Sequence, residues 1–526
     1  MLDRIFEAKV HYFIYIISLI VIAIGMPFGK AVLSIGMVLM IINFLLEFKY
    51  ISAFKSIKGN IPLIAILSFF AFLIIGLFWS IDPYQGLSDL KSRIPILVIP
   101  LIVGTTVPLS KKELSWILIV FLASIVLSSL INFLNYTIVL GSKEFIDIRG
   151  MSLFGSHIRY GIVIALGISV CICIQYQAKK LKLIYLLAIG WLLFYSYYSQ
   201  VLSGYLSVTM IILALIFYFL WKWNKILATV TLTVQVAILV MLVYQFLNFS
   251  KKPAVIDSLP TFSAQGNLYY HSNEEFSEFN GLPIHTFVAP SELEYGWNKL
   301  SKFDFKGLDR KNHMLVSTIM RYMTALQLTK DSVGLSHLSK EDIRNIENGF
   351  TYPDEENQPF QSRMNGLRYQ LLNEVNVNGH SLLQRFEYWK TSLYLIKKNG
   401  IFGVGTGGNH KAFNQAYVAT NSQLNPEIRC RSHNMFFSVL IGQGILGLII
   451  FLAMLFVLIR TSIQIKFLLG ILFLAIIIPS FLIEDTLETQ LGVTIFGFFS
   501  ALIISEYRKE KMKSKPKEGD DFSSFH

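Results

Sequence analysis

The chain has 526 residues, of which 53% are hydrophobic, 14% aromatic and only 15% charged, with a mean hydropathy of +0.54. A soluble globular domain carries about 25% charged residues, so the composition excludes that class and indicates an integral membrane protein. The net charge of +12 does not require a nucleic-acid partner, because the positives collect in short loops between apolar segments. Cys171 and Cys173 lie inside an apolar segment and Cys430 stands alone, which gives neither a disulfide framework nor metal-ligand spacing.

After the polar start MLDRIFEAK, the segment from about Tyr12 to Phe28 has no convincing cleavage site and reads as a retained first span. Apolar segments follow at roughly 31–48, 61–80, 94–108, 114–140, 158–177, 182–199, 201–221 and 226–248, then at 435–459, 467–483 and 489–505. About 20 residues cross the hydrocarbon core, and only helices satisfy their backbone within one segment. The expected fold is therefore an all-α bundle of about twelve transmembrane helices.

Lysine and arginine set the expected orientation. Arg4, Lys9, Lys49, Lys55, Lys58, Lys111, Lys112, Lys179, Lys180, Lys182, Lys222, Lys225, Arg460, Lys466 and the tail RKEKMKSKPK fall on one side. Asp82, Asp89, Glu144, Asp147, Glu484, Asp485 and Glu488 fall on the other. The positive-inside rule puts both termini in the cytoplasm and the long interval outside. The expected organisation is an N-terminal bundle of nine helices at 1–248, a large outer loop domain at 249–434, three C-terminal helices at 435–506 and a basic cytoplasmic tail at 507–526. Stretches such as SKEDIRNIENG and RYQLLNEV make the outer interval helical and ordered.

Several outer-face motifs carry possible chemistry. Arg149, His157 and Arg159 precede or open the sixth span, where a lipid phosphate would lie, and they run against the charge asymmetry. In 380–399, Leu382, Phe386, Trp389, Leu393 and Ile396 form one helical face, with Arg385 beside Trp389 and a stop at Asn399–Gly400; an ordinary surface helix has the same spacing. Gly403, Gly405, Gly407 and Gly408 could aim backbone N–H groups at an anion or form a flexible loop. A dinucleotide site would need a βαβ unit that is missing. Ser432 is a candidate N-cap, which places His433 in the first turn. The helix dipole and Arg429 and Arg431 should keep that imidazole neutral and able to accept a proton, unless it is a plain interfacial histidine. The two arginines could hold a phosphate. Glu484, Asp485 and Glu488 could orient an acceptor hydroxyl, act as a base or pair with the arginines; a solvated acidic loop is the plainer alternative.

Together these groups suit an anionic, lipid-attached substrate whose diphosphate leaving group needs cations. No Asp-x-Asp triplet occurs, so the usual metal clamp of nucleotide-sugar enzymes is not indicated; no cofactor is expected.

The Arg385-x-x-Tyr388-Trp389 helix, the GIFGVGTGG turn at 400–408, and Ser432-His433-Asn434 opening a span that closes with Gly442-Gln-Gly444-Ile-Leu-Gly447-Leu448 resemble, in order and spacing, the O-antigen ligase / O-antigen polymerase superfamily. The resemblance is strong over about 380–460 and topological elsewhere. FGSHIRYG at 154–161 and EDTLETQLG at 484–492 resemble Bacteroidetes-type versions. The resemblance implies a GT-C-like membrane glycosyltransferase at the periplasmic face of a Gram-negative inner membrane. It would move a glycan from undecaprenyl diphosphate to an acceptor hydroxyl, without metal and with inversion. By position, Arg385 would contact the donor diphosphate and His433 would activate the acceptor or assist at the diphosphate. Arg159, Arg149, His157, Arg431 and Arg429 are candidate diphosphate contacts; Asn434, Glu484, Asp485, Glu488 and Gly405 are candidate acceptor or supporting residues. The family's Ser-Arg pair on a middle span is not matched at Ser203-Gly204-Tyr205, so Arg159 or Arg149 is expected to replace it. The acceptor would be lipid A–core in a ligase, a lipid-linked repeat unit in a polymerase, or a Ser or Thr side chain in a protein O-oligosaccharyltransferase. The large loop between spans nine and ten, carrying both Arg385 and His433, favours the ligase. A lipid-linked glycan transporter would instead place polar groups near the bilayer midplane.

Overall fold

Long apolar runs without internal breakers form helices, and each apolar segment read from the sequence contains one. The structure, a computed structural model, describes residues 2–140, 148–178, 182–249, 259–373, 377–379 and 381–514. Glu144, Asp147, Lys179, Lys180 and the end of the basic tail lie outside the described residues, and so does the side chain of Arg149. Among the described residues the fold is all-helical, with backbone pairing between strands limited to isolated bridges such as Tyr270 with Val288.

Among the described residues six helices are long and apolar enough to cross a membrane, and the pair Lys30–Leu46 and Tyr50–Ile57, bent by 107°, makes a seventh if it is one span. Ile61–Ile75, Leu183–Tyr198, Lys225–Ile238 and Leu468–Ile483 are apolar but shorter. Helix Pro83–Thr105 has a polar first half. The chain is accordingly a multi-pass helical membrane protein, a coarser result than the expected twelve spans.

Helix Gln490–Ser514 packs along Pro83–Thr105, and Leu468–Ile483 packs between Met435–Gln464, Leu202–Trp223 and His157–Ala178. Phe473, Phe481, Phe496 and Phe499 fill the centre, with Phe473 and Phe499 stacked at 5.2 Å. This packing brings the start of His157–Ala178 to the loop that follows Leu468–Ile483. The interval before residue 373 has its own core around Trp297, Ile319, Tyr322 and Met323. Helix Lys340–Glu347 there opens on a capping box between Ser339 and Asp342.

Helix Ser381–Asn399 ends where the Asn-Gly pair predicts, but its buried face differs from the expected one. Tyr388, Thr391, Ser392 and Leu395 are buried, while Phe386 and Leu393 are 40% and 57% exposed. In a membrane protein an apolar stripe does not by itself mark the interior, because lipid tails are as apolar as leucine.

Candidate active site

The glycine-rich turn organises the site. Gly403, Gly405 and Gly407 have φ of 74°, 81° and 89°, a region that side chains with a Cβ rarely adopt. Its amides do not form an anion cradle. Val404 N–H donates to Ile441 O, Gly405 N–H to Gly442 O, each at 2.8 Å, and Thr406 N–H to Gly76 O at 3.0 Å. These bonds are available because helix Met435–Gln464 is broken at Gly444 (φ 66°, ψ −171°). Ile445 N–H, freed by that break, donates to Gly400 O at 2.9 Å. Gly405 is thus a structural support in which a Cβ would lie 2.6 Å from Ser80 N. The amides of Gly403, Val404, Gly405, Thr406 and Gly408 are taken up by carbonyls, which overturns the anion-binding reading.

Behind this turn, helix Met435–Gln464 opens on Asn434, not Ser432. The Asn434 side chain accepts from Phe437 N–H at 3.1 Å, and its Nδ2 donates to Leu482 O at 3.1 Å. Ser432 is occupied instead with Asn434 O and Asp485. His433 therefore sits before the helix, at φ 46°, a strained conformation for a non-glycine residue. Buried Asp485 holds it there by accepting from His433 N–H at 3.1 Å and Ser438 Oγ at 2.8 Å. The imidazole stacks on Tyr388, with ring centroids 5.4 Å apart.

Two carboxylates from the loop after Leu468–Ile483 gather the cations. Glu484, its side chain only 4% exposed, lies 2.8 Å from Arg385 Nη2, 3.4 Å from His433 Nδ1 and 4.0 Å from Arg159 Nη2. Burial favours its neutral acid, yet His433, Arg385 and Arg159 hold it below the ordinary carboxylate range. Glu488 sits between Arg93 and Arg431, the latter donating at 2.6 Å. Those two arginines overcome burial and bring Glu488 down to about 2. Asp485 is pushed up by burial and by Glu488. The loop is no solvated acidic surface.

The neutral histidine expected from the sequence is corrected here. Burial alone would lower the His433 pKa, but Cys430, Glu484 and Asp485 outweigh it and raise the value to about 9. At neutral pH the ring is a cation and a proton donor. Two carboxylates from the next interhelical loop, Glu484 and Asp485, outweigh the helix dipole and the arginines.

Of the other expected residues, Arg431 joins the Glu488 pair, while Arg429 turns away to donate to Leu424 O at 3.0 Å and lie over Tyr417. His157 lines a small space with Tyr160 and Ser196. Ser203 Oγ bonds Ile158 O at 2.7 Å, one residue from Arg159. Arg93, 7% exposed, was missed by the sequence reading. A basic residue on the outer side of a span was the available signal, the one that picked out Arg159. Among the described residues no group of three or more His, Cys, Asp or Glu is placed to hold a metal ion.

Two donors, one on Arg159 at this cluster and one on Trp389 a turn along from Arg385, have no partner among the described residues. Arg159 Nε and Trp389 Nε1 are buried and unbonded. Three cations share Glu484, and unused N–H groups remain, which is what a bound anion requires.

Residues 339–452, which hold Arg385, the glycine turn and His433, match the Wzy_C family model, described as O-antigen ligase. That match supports a relation of this stretch to the O-antigen ligase/polymerase superfamily. The matched residues also include the broken Gly442–Gly444 segment and the helix start at Asn434. No curated protein matches the chain.

Proposed function

We propose that this chain is a membrane glycosyltransferase of the O-antigen ligase type. It moves a glycan from undecaprenyl diphosphate to an acceptor hydroxyl, with lipid A–core as the acceptor, at the periplasmic face of the inner membrane. The observation that carries the reading is the convergence of Arg159, Arg385 and His433 on Glu484, with Arg159 Nε left unbonded. In this reading the donor diphosphate displaces part of the hold on Glu484 and accepts from the two guanidiniums and the charged imidazole. Charge developing on the leaving diphosphate meets donors already in place. His433 acts on the leaving group, and Asp485 and Tyr388 hold it in position. The displacement inverts the anomeric centre and uses no metal.

The arrangement proposed around this site has twelve spans, cytoplasmic termini and tail, and a periplasmic interval at 249–434. The charge asymmetry between loops and the separate core near Trp297 support it. Charged side chains gather where the 433 turn, the 484–488 loop and the His157 helix start meet. That favours chemistry at an interface over passage of a lipid-linked glycan through the bundle.

A strain lacking the gene tests the assignment. Long glycans retained on the polyprenyl carrier and absent from lipid A–core support a ligase. Single repeat units on lipid A–core would make it a polymerase, and intact lipopolysaccharide with unglycosylated secreted proteins a protein O-oligosaccharyltransferase. No change in any of these would sink the transferase reading. Arg385→Ala and Arg159→Ala should each lower transfer by about 10²-fold or more; unchanged donor use in both would remove the diphosphate role.

A further inference from the structure

If His433 is a cation, the proton of an attacking hydroxyl must go elsewhere. Glu484 and Glu488 are held below the ordinary range by their cations, and Asp485 is enclosed behind Ser438 and the His433 backbone. Another outer carboxylate borders the Arg431–Glu488 pair. Asp89 lines a cavity of about 230 Å³ with Gln85, Ser92, Arg93, Asn409, His410, Arg431 and Glu488. Its hydrogen bond comes from a neutral group, Gln85 Nε2 at 2.8 Å.

The cavity shares Arg431 and Glu488 with the site above. It is smaller than the about 300–1,000 Å³ typical of drug-sized ligands, so it suits one ring rather than a chain. Its lining mixes carboxylates, guanidiniums and amides, which both donate to and accept from hydroxyl groups. Asn409 gives an independent indication of a ligand. It is 9% exposed, its Nδ2 is used by Ser438 O at 3.0 Å, and its Oδ1 is buried without a partner. A buried acceptor left open is costly, and this one sits on a residue that lines the cavity.

We propose that this cavity is the subsite for the acceptor's sugar ring, and that Asp89 takes the proton of its attacking hydroxyl. The inference rests on the transferase reading. The acceptor oxygen bonds to the anomeric carbon of the donor glycan as the bond from that carbon to the diphosphate oxygen breaks. The electron pair leaves on the diphosphate, held by Arg385, Arg159 and His433, and the hydroxyl proton passes to the Asp89 carboxylate. The charged and titratable groups facing Asp89 are Arg93, Arg431, Glu488 and His410. Burial, followed by Glu488, raises its pKa, while Arg93 and Arg431 pull the other way. That makes Asp89 a better base than its two paired neighbours.

The test uses the full chain in nanodiscs and a set of methyl pyranosides (gluco, galacto, manno and N-acetylglucosamine) observed by saturation-transfer NMR. At least one should bind wild type, bind about tenfold more weakly to Asp89→Asn and Asn409→Ala, and stay bound when undecaprenyl-diphosphate-linked glycan is added. No binding to wild type, binding unchanged in both variants, or displacement by the donor would each overturn the acceptor subsite. In the transfer assay Asp89→Asn should lose about 10²-fold or more in kcat along with the acid limb of the pH profile, and Asp89→Glu should recover part of both. Activity of Asp89→Asn within a few-fold of wild type overturns the base role. Arg385→Ala should stop donor use and leave pyranoside binding intact, which separates the two sites. If wild type binds a pyranoside at Asp89 but releases no polyprenyl diphosphate with any acceptor, the transferase reading and the base role fall and the sugar site stands.

Discussion

Replacing His433 with glutamine removes a charge that its surroundings hold far from the ordinary range. The folded imidazole titrates at about 9, against about 6.5 for a free histidine. A raised folded pKa means that the protonated form stabilises the fold. The contribution is complete below about 6.5, fades as pH rises, and is gone above about 9. At about 1.4 kcal/mol per pH unit, that gap is about 3 kcal/mol. Set against the unfolding entropy of a chain this long, it shifts the thermal midpoint by about 3 °C. Wild type and His433→Gln unfolded in one detergent at a series of pH values should differ most at the acid end and converge at the alkaline end. Glycan transfer by wild type should fall over the same alkaline range, as the leaving diphosphate loses a charged donor. Cys430→Ser is the control, because the neighbouring imidazole pulls that thiol downward. A midpoint difference that stays constant between about pH 6 and pH 10 would refute a cationic His433.

Glu488→Ala should cost about 3–5 kcal/mol by leaving Arg93 and Arg431 without their shared carboxylate; a wild-type monodisperse yield on size exclusion would contradict this. Gly405→Ala should abolish the folded peak, since its φ is +81° and the added Cβ meets Ser80 and Gly76 backbone. Gly366→Ala, with nothing within 4 Å, should be neutral or raise stability by up to about 1 kcal/mol; if both glycine variants behave alike, the close-packing account is wrong. Asn434→Ala should cost about 0.5–2 kcal/mol through loss of the cap, read as a lower thermal midpoint, whereas Ser432→Ala should leave the cap bond in place.

The helices were largely legible in the sequence, because an apolar run near bilayer length leaves few alternatives. The site was legible as separate pieces. Arg385, His433 and Glu484 could each be singled out by position, but their meeting depends on pairs 99 and 51 residues apart. His433 shows the consequence. Its near neighbours in sequence predicted a neutral ring, and its near neighbours in space make it a cation. Arg93 was overlooked because it adjoins an apolar run and its partner Glu488 is 395 residues away. The stripe on Ser381–Asn399 misled for a different reason, since hydrophobic periodicity locates an interior only when the outside is water. The glycines of 400–408 were rightly marked as special, but whether their amides face a ligand or another backbone depends on a helix break at Gly444 that no local pattern announces.

That break has a consequence for how the chain is assembled. Residues 400–405 and 441–445 complete each other's backbone hydrogen bonds, so neither segment is finished on its own. An open amide in hydrocarbon costs several kcal/mol, and the second segment lies in a helix long and apolar enough to span. During synthesis the glycine turn emerges first. It is therefore the partner already waiting when the Met435 helix enters the bilayer. Insertion of that helix and docking of the turn become one event, which sets Asn409 against Ser438 as soon as the segment is stable.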